Sequence, residues 1–246
     1  GVNFIDTANS YGTEEAVGEG IKGVTRDDVV ISTKYHPAWD GKIHSNETII
    51  AGLNESLQRL NLEYVDIFHL HGVHPKYYSY VMEDVVPALR KEQDKGKFRH
   101  LGITELATVD PGHEVLMRAA DEGCFDVFMV AFHLMHQTAR RALFPLTQDR
   151  GIGTLIMFAV RTLFSEPGRL KRDVDALVAS GQLPSTLKGA SNPLEFLLHP
   201  DGADSVIDAC YRYARHTDGA DVVLFGTSSL EHLESNLASI AKPALP

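Results

Sequence analysis

Four ionisable side chains stand at or near the ends of apolar runs in the first third of the chain. Asp6 ends the first run, and Tyr11 follows it five residues later, just before a glycine. Lys34 stands at the end of the second run and His71 at the end of the third. A carboxylate, a phenol, an ammonium and an imidazole are costly to bury in a core. Placed together, they are groups that hold and transfer protons.

Seven short apolar runs, rich in Val, Ile and Phe, recur along the sequence. They are VNFIDTA (2–8), VVISTKY (29–35), VDIFHLH (65–71), HLGITE (100–105), DVFMVAF (126–132), GTLIMFAV (153–160) and DVVLFGT (221–227). Continuous runs of this kind are typical of strands that are buried on both faces of a parallel sheet. The sequence therefore predicts seven parallel strands.

Amphipathic helical patterns lie between the runs. They cover 48–61, 81–97, 114–123, 205–216 and 229–240, and Gly96, Gly123 and Gly219 stand where three of them would stop. Alternating strands and helices predict an α/β fold. Seven βα units predict a (β/α)₈ TIM barrel in one domain over 1–246, with its first βα unit missing from the front. Residues 180–203 are the most loop-like stretch.

The barrel prediction brings the ionisable residues together. In a barrel the functional site gathers at the carboxyl ends of the strands. Alternation places Asp6 on the same face of its strand as Phe4, and Lys34 on the same face as Ser32. We therefore expect the four side chains to converge at one end of the sheet.

The composition excludes several classes of protein. The net charge of −10 argues against nucleic-acid binding, which requires a basic face. Only two cysteines occur, Cys124 and Cys210, far apart in the sequence. Two cysteines make neither a disulfide framework nor a zinc site, and they fit a reducing compartment such as the cytoplasm. No apolar run reaches the length of about 18 residues that a membrane span needs. No signal peptide is visible at the start.

Five stretches in order carry a resemblance to a known family: GVNFIDTANSYG, STKY, DIFHLHG, GKFRHLGITE and GTSSLEHLESNL. Together they resemble the aldo-keto reductase superfamily from residue 1 to about residue 240. The resemblance implies a (β/α)₈ barrel whose first strand precedes the Asp-Tyr motif. It also implies an oxidoreductase that interconverts a carbonyl and an alcohol with NADP(H) or NAD(H).

The resemblance implies that Asp6, Tyr11, Lys34 and His71 are the catalytic residues. Tyr11 would act as general acid or base, and an ordinary tyrosine has a pKa near ~10. We expect the Lys34 ammonium to lower the pKa of Tyr11 and Asp6 to hold Lys34. His71 would donate a hydrogen bond to the carbonyl oxygen and orient the substrate.

The last strand and helix 229–240 resemble the family's site for the adenosine half of the cofactor. The residues of the turn are Gly226, Thr227, Ser228 and Ser229. A helix N-terminus binds phosphate through its backbone N–H groups, although Ser229 could also be a plain helix cap. His232 and Asn236 would face the adenosine. His232 and Glu234 stand where the family often has an arginine for the 2′-phosphate, so NADPH and NADH both remain open.

The expected nicotinamide end departs from the family pattern. Thr104 and Glu105 replace a Ser-Asn pair, and Glu105 can accept a hydrogen bond from a carboxamide but cannot donate one. Met129 stands near the place of a glutamine. Phe158 fits the aromatic residue that stacks on the nicotinamide, and Arg161 could reach the pyrophosphate.

Other functions remain open. His69 and His71 lie on one face of a strand and could begin a metal site with His133, His136 and Asp6, although Lys34 would repel the metal; we expect no metal. A non-redox relative and an auxiliary binding subunit are the remaining alternatives.

The expected partner is a small carbonyl or sugar substrate, with neither nucleic acid nor a membrane. The loops 36–46 and 73–80 could wall its pocket. Neither the substrate nor the oligomeric state is predicted.

Overall fold

A computed structural model describes residues 2–166 and 168–246 of the chain. The chain forms two compact units. The first comprises Gly1–Val130 and Arg141–Thr154, and the second comprises Ala131–Arg140 and Leu155–Pro246. The single domain over 1–246 stays a prediction.

The strands of the described residues agree in number and direction with the predicted ones and include one extra hairpin. They are β1 (Phe4–Asp6), β2 (Val30–Tyr35), β3 (Ala38–Trp39), β4 (Lys42–Ile43), β5 (Val65–Val73), β6 (Phe98–Glu105), β7 (Val127–Ala131), β8 (Gly153–Met157) and β9 (Val222–Val223). In the first unit β1, β2, β5, β6 and β7 pair in that order, all parallel. In the second unit β8 pairs with β9, also parallel.

Two strands end three or more residues earlier than the sequence predicts. The predicted strand 153–160 ends at Met157, because Phe158 has a φ of 72°, which no strand residue adopts. The predicted strand 221–227 is ordered as a strand only at Val222–Val223. The residues beyond both ends belong to turns.

The antiparallel hairpin β3–β4 follows β2 and was not predicted as strands. Asp40 and Gly41 connect its two strands with φ values of 48° and 78°. Two consecutive positive φ values are what a tight Asp-Gly hairpin turn requires. The hairpin thereby presents Trp39, which is 61% exposed.

The helices of the described residues include the five predicted ones and further ones between them. They are α1 (Glu14–Gly20), α2 (Asn46–Leu60), α3 (Tyr78–Tyr80), α4 (Val86–Asp94), α5 (Glu114–Glu122), α6 (Thr138–Arg150), α7 (Thr162–Ser165), α8 (Arg169–Ala179), α9 (Val206–Arg215) and α10 (Leu230–Ile240). No helix of this described part is both long and apolar enough to cross a membrane.

Local signals account for several helix ends. Ser45 caps α2 by accepting a hydrogen bond from the N–H of Thr48, and Asn61 ends it in the left-handed conformation. The predicted helix 81–97 is divided into a π-helical turn at Val81–Val85 and α4, which begins next to Pro87. Helix α9 ends at Arg215, four residues before the predicted stop at Gly219.

Alternation along the strands of the first unit separates its apolar and its ionisable residues. Ile31, Phe68 and Leu101 are fully buried on β2, β5 and β6. On the opposite face, Lys34 is in register with His69 and His69 with Gly102. The sheet therefore presents a row of polar side chains on one face.

Candidate active site

A carboxylate and an ammonium from neighbouring strands form a buried pair. Asp6 ends β1, and Lys34 lies near the end of β2 with its side chain 1% exposed. The Lys34 Nζ atom donates to Asp6 Oδ2 at 2.5 Å and to the carbonyl oxygen of Thr7 at 2.6 Å. The Ser32 hydroxyl donates to the other carboxylate oxygen at 2.8 Å. These charge-assisted bonds fix the position of the lysine.

The surroundings of Lys34 pull its pKa in two directions. Burial lowers the pKa of Lys34 below its usual value, while Asp6 and, more weakly, Glu14 act to raise it. Burial is the largest of these effects, since a low-dielectric environment disfavours a charged ammonium. The lysine is therefore a cation that its carboxylate partner holds in a poorly hydrated place.

Tyr11 lies against the lysine but its pKa moves opposite to the sequence prediction. It ends a 3-10 turn, Asn9–Tyr11, and its ring centroid is 5.1 Å from Lys34 Nζ. Burial and the charge of Asp6 raise the pKa of Tyr11 to about 12. The expected lowering by Lys34 is absent because burial strongly disfavours a charged phenolate, and the negative charge of Asp6 adds to that effect.

His71 faces the phenol from the third strand. Its ring contacts the ring of Tyr11 edge-on, with centroids 5.7 Å apart and planes at 81°. Burial lowers the pKa of His71 to about 2, helped by His36, Lys34 and His69. The imidazole is therefore neutral at physiological pH and has a single N–H to donate.

A fifth residue, His36, supports His71. The two imidazoles stack with centroids 3.9 Å apart and planes at 18°, and His36 Nδ1 donates to the carbonyl oxygen of His71 at 2.9 Å. On its other side His36 contacts Trp39, with centroids 4.4 Å apart. The sequence suggested His36 only as part of a pocket wall. The stack connects the end of β2 with β5. A contact between residues so far apart in the chain cannot be predicted from a local sequence pattern.

Thr104 and Glu105 lie on opposite faces of β6. The Thr104 hydroxyl accepts a hydrogen bond from the N–H of Gly72 at 2.6 Å, next to His71. The Glu105 carboxylate is buried, and its Oε2 lies 2.7 Å from His113 Nδ1. Thr104 therefore belongs to the cluster around His71. Glu105 does not, because one step along a strand reverses the side-chain direction.

The cluster borders a cavity in the first unit. The cavity measures about 300 Å³, and Trp39, Tyr77 and Leu106 contribute to its apolar lining. The Tyr77 hydroxyl donates to the carbonyl oxygen of Gly41 at 3.0 Å and so ties the hairpin β3–β4 to the following loop. His36 lines this cavity and also stacks on His71. His36 therefore connects the cavity to the cluster of ionisable residues.

In the second unit, Phe158 and Arg161 contact each other. Phe158 is half-buried in its left-handed turn after β8, and the guanidinium carbon of Arg161 lies 3.8 Å from its ring centroid. This distance is typical of a cation–π contact. The aromatic ring and the cation predicted for cofactor binding are thus neighbours.

The turn before α10 has the geometry of a capped helix N-terminus. Gly226, Thr227 and Ser228 are exposed, and Ser229 accepts a hydrogen bond from the N–H of His232 at 3.3 Å. The Thr227 hydroxyl accepts from the N–H of Ser229 at 3.1 Å. Within the first helical turn, backbone N–H groups have no intrahelical acceptor and can bind an anion. The Ser229 cap is thus compatible with phosphate binding.

The two residues predicted to face the adenosine differ in exposure. His232 is exposed on the first turn of α10, whereas Asn236 is 8% exposed. One turn of helix separates them, so they lie on the same side of α10. His232 is accessible to a ligand, and Asn236 mainly packs.

The histidines considered for a metal site lie in close contact with other residues of the fold. His69 is fully buried, and its ring is so close to Gly102 that a Cβ there would lie 2.1 Å from Nδ1. His133 and His136 belong to one β-bridge, with ring centroids 5.8 Å apart. Among residues 2–166 and 168–246, no group of three or more His, Cys, Asp and Glu is arranged to hold a metal ion.

The chain matches a family profile over its whole length and known proteins over most of it. The sequence profile of the aldo/keto reductase family matches residues 1–246. L-galactose dehydrogenase of Arabidopsis thaliana is 29% identical over 98% of this chain and 75% of its own length. NADH-specific methylglyoxal reductase of Escherichia coli is 29% identical over 62% of this chain and 50% of its own length.

A solved structure has the same fold. An aldo-keto reductase from Klebsiella pneumoniae in complex with NADPH superposes with a TM-score of 0.68 at 25% identity, over 99% of this chain and 76% of that chain. This likeness confirms the predicted fold class, the (β/α)₈ barrel. With the full-length match of the family profile it also confirms the resemblance seen in the sequence, and the chain belongs to the aldo/keto reductase family.

Proposed function

We propose that the chain is an NAD(P)(H)-dependent oxidoreductase that interconverts a small carbonyl compound and the corresponding alcohol. One observation carries the proposal: the buried Asp6–Lys34 pair lies beneath the ring of Tyr11, and His71 contacts that ring at its edge. Names and family membership of the relatives support the class of reaction.

In the direction of reduction, Tyr11 is the proton donor. Its raised pKa of about 12 keeps the phenol protonated at neutral pH, and its side chain is half-exposed and accessible to substrate. A phenolate that forms as the proton leaves would be next to the Lys34 ammonium, 5.1 Å from the ring centroid. The Lys34 charge thus offsets part of the free-energy cost that burial and Asp6 impose on this phenolate, although the pKa of Tyr11 stays above its ordinary value. A positioned general acid is typically worth ~10²–10⁴ in rate.

His71 orients the oxygen that receives the proton. A neutral imidazole donates one hydrogen bond without competing with Tyr11 as a stronger acid. Its low pKa keeps it neutral throughout the physiological range. In the direction of oxidation Tyr11 takes the proton from the alcohol, and His71 holds the same oxygen.

The residues of the second unit fit a nicotinamide dinucleotide in part. When bound, this cofactor supplies or accepts the hydride. The turn Gly226–Ser229 offers backbone N–H groups for phosphate, Arg161 offers a cation, and Phe158 offers an aromatic face. Glu105 does not fit, because its carboxylate is buried against His113.

The cofactor preference is left open within this proposal. His232 is exposed at the position where the family resemblance leads us to expect an arginine, and an imidazole is a weak cation at neutral pH. The relatives point both ways, since one is named NADH-specific and another was solved with NADPH. Both forms of the cofactor are therefore candidates.

A hydroxylated aldehyde or aldose is the substrate class that the first unit fits best. The cavity beside His36 combines the exposed Trp39 face with polar groups, and flat aromatic surfaces suit sugar rings. The L-galactose dehydrogenase among the relatives supports the same class. A cytoplasmic location is proposed on Cys124 and Cys210, both of which are free thiols.

Cofactor titration followed by one substitution tests the proposal. NADPH and NADH are added to the purified protein while cofactor fluorescence is followed, and saturable binding of either supports a redox function. Tyr11→Phe should then abolish turnover of small aldehydes and aldoses while leaving cofactor binding intact. Tyr64→Phe is the matched control, since Tyr64 contacts Arg99 rather than the cluster. A folded protein that binds neither cofactor would overturn the assignment and favour a non-redox relative.

A further inference from the structure

His36 occupies the point where two strands of the first unit separate. The pairing of β2 with β5 ends at Tyr35 and Leu70, and β5 is irregular between Leu70 and Val73. The carbonyl oxygen of His71 falls within this irregular stretch. The side chain of His36 donates to it at 2.9 Å and so replaces a ladder bond.

Hydrogen bonds of His36 and His44 fix the tautomer of the His36 ring and the position of its backbone. A carbonyl oxygen only accepts, so Nδ1 of His36 must carry a proton. His44 in turn lies with its Nδ1 2.9 Å from the carbonyl oxygen of His36. The ring is thus held by a defined tautomer and a defined backbone, and its flat face covers His71.

The segment after His71 is fixed as well. Gly72 has a φ of 62°, and its N–H donates to the Thr104 hydroxyl at 2.6 Å. A Cβ on Gly72 would lie 3.7 Å from His36 Nδ1, which shows how closely His36 packs on this turn. His71 is thereby held between the Thr104 bond and the His36 stack.

We propose that His36 is a positioning residue: it holds the His71 imidazole edge-on to Tyr11 and excludes a second positive charge from that place. The part of the proposal that concerns turnover rests on the proposed oxidoreductase function. The part that concerns the His71 ring does not, because it is a property of the protein alone.

The charged and titratable groups around the stack support this role. Lys34 faces it from β2, His69 from β5, His44 from the segment after β4 and Tyr11 from the loop after β1. Burial lowers the pKa of His36, and His44 and Lys34 lower it further. Two stacked imidazoles beside an ammonium stay neutral, since protonation of one disfavours protonation of the other.

The experiment compares His36→Ala with His36→Asn by two measurements. The first is the titration of the His71 imidazole followed by NMR on the protein without substrate. In His36→Ala we expect the pKa of His71 to rise by about one unit or more, as solvent enters and the neighbouring ring is lost. The second is steady-state turnover, which we expect to fall about 10- to 100-fold, with cofactor affinity unchanged.

The asparagine variant separates positioning from bulk packing. Its Nδ2 takes the place of His36 Nδ1, so it keeps the donor to the His71 carbonyl and should recover part of the turnover. His100→Ala is the matched control, because His100 is an exposed imidazole on β6. If His36→Ala does not fold, His36→Phe keeps the ring and removes the donor, and it should lower turnover by about tenfold.

The His71 titration and the turnover together decide between the possible outcomes. A shifted His71 titration together with lowered turnover supports the proposal. An unchanged His71 titration in a folded His36→Ala variant overturns it, whatever the turnover, and so does an unchanged turnover in a folded His36→Phe variant. A shifted titration in a protein that reduces no carbonyl compound would overturn the proposed function and leave the positioning of His71 standing.

Discussion

Two aspartates of the first unit, Asp6 and Asp66, are both largely buried and both paired with cations, yet their partners differ. Asp66 lies near the start of β5, where Arg26 Nη2 and Arg99 Nη1 donate to it at 2.7 and 3.1 Å and the N–H of Ile31 at 2.8 Å. Both guanidinium groups also pack on the ring of Tyr64. Asp6, at the end of β1, has a lysine instead.

The two sites differ in whether the cation can interact with a further ionisable group after it has bonded the carboxylate. Arginine is a planar donor that remains charged, and its fork can bond the carboxylate while its face stacks on an aromatic ring. Lysine is a point charge whose pKa responds to burial, and Lys34 still faces Tyr11 after bonding Asp6 and Thr7. We therefore interpret the Asp66 cluster (Asp66, Arg26, Arg99 and Tyr64) as a stabilising site, and we propose that the Asp6–Lys34 pair takes part in proton transfer.

Replacing the lysine should have the largest effect. Lys34→Met removes the charge that stabilises the Tyr11 phenolate, so we expect turnover to fall by ~10²–10⁴-fold with cofactor affinity little changed. Steady-state kinetics with both cofactors measures this. Arg26→Met removes a cation from the Asp66 cluster and should leave turnover within about twofold. Comparable losses in the two variants would contradict the division between the sites.

Asp66→Asn should lower the stability of the folded protein without lowering its turnover. The substitution removes the negative charge that two guanidinium groups share, and we expect the free energy of unfolding to fall by about 2–4 kcal/mol. Urea denaturation measures the loss, and the turnover of the folded protein should be unchanged. A stability change below about 1 kcal/mol would show that the cluster is dispensable.

The neutral histidines near Lys34 should make the protein sensitive to acid. The pKa of His71 is about 2 in the folded state, against an ordinary 6.5 in the unfolded chain. Below pH 6.5 the unfolded state binds more protons than the folded state. As the pH is lowered, the free energy of unfolding therefore decreases by up to ~1.4 kcal/mol per pH unit for this group. His69, with a pKa well below 6.5, adds to the slope.

Urea denaturation between pH 7 and pH 4 measures that slope. His71→Phe should flatten it, because the variant has no imidazole to protonate in the unfolded chain. Tyr64→Leu, in the Asp66 cluster, should leave the slope as it is. An equal slope in His71→Phe and the parent protein would refute the assignment of a low pKa to His71.

Tyr64→Leu should give the smallest effect of the series. The ring lies 4.3 Å from the guanidinium carbon of Arg26 and 4.5 Å from that of Arg99. Exposed cation–π contacts are worth about 0.5–1 kcal/mol each, so the free energy of unfolding should fall by roughly 1–2 kcal/mol. Turnover should not change, and a reduced turnover would show that the two sites are coupled.

The strands could be predicted from sequence, but not all of their ends. A strand buried on both faces is a continuous apolar run, and each of the seven runs contains a strand of the structure. Phe158 continues such a run, yet its backbone turns into the left-handed region. Hydrophobicity predicts burial, whereas the end of a strand depends on where its neighbour stops pairing.

The positions of the ionisable site residues could also be predicted, since each follows from the end of a strand. The orientation of Glu105 could not, because adjacent strand residues point to opposite faces and Glu105 found a partner in His113. The direction of the Tyr11 pKa shift could not be predicted either, because it depends on how deeply the phenol is buried and on its distance from Asp6, and sequence order gives neither. His36 was missed as a support because its contacts cross from one strand to the next.

The link between the hairpin β3–β4 and His71 has a consequence for how relatives of this chain can diverge. Trp39 lies at the tip side of the hairpin and touches His36, whose other face supports His71. We therefore expect a change at Trp39 to alter the lining of the cavity while His36 keeps its hydrogen bond to the carbonyl oxygen of His71. A graft of the whole hairpin from a relative replaces Trp39 but leaves His36, which precedes β3, in place, so directed evolution of specificity should vary the hairpin and keep His36 fixed.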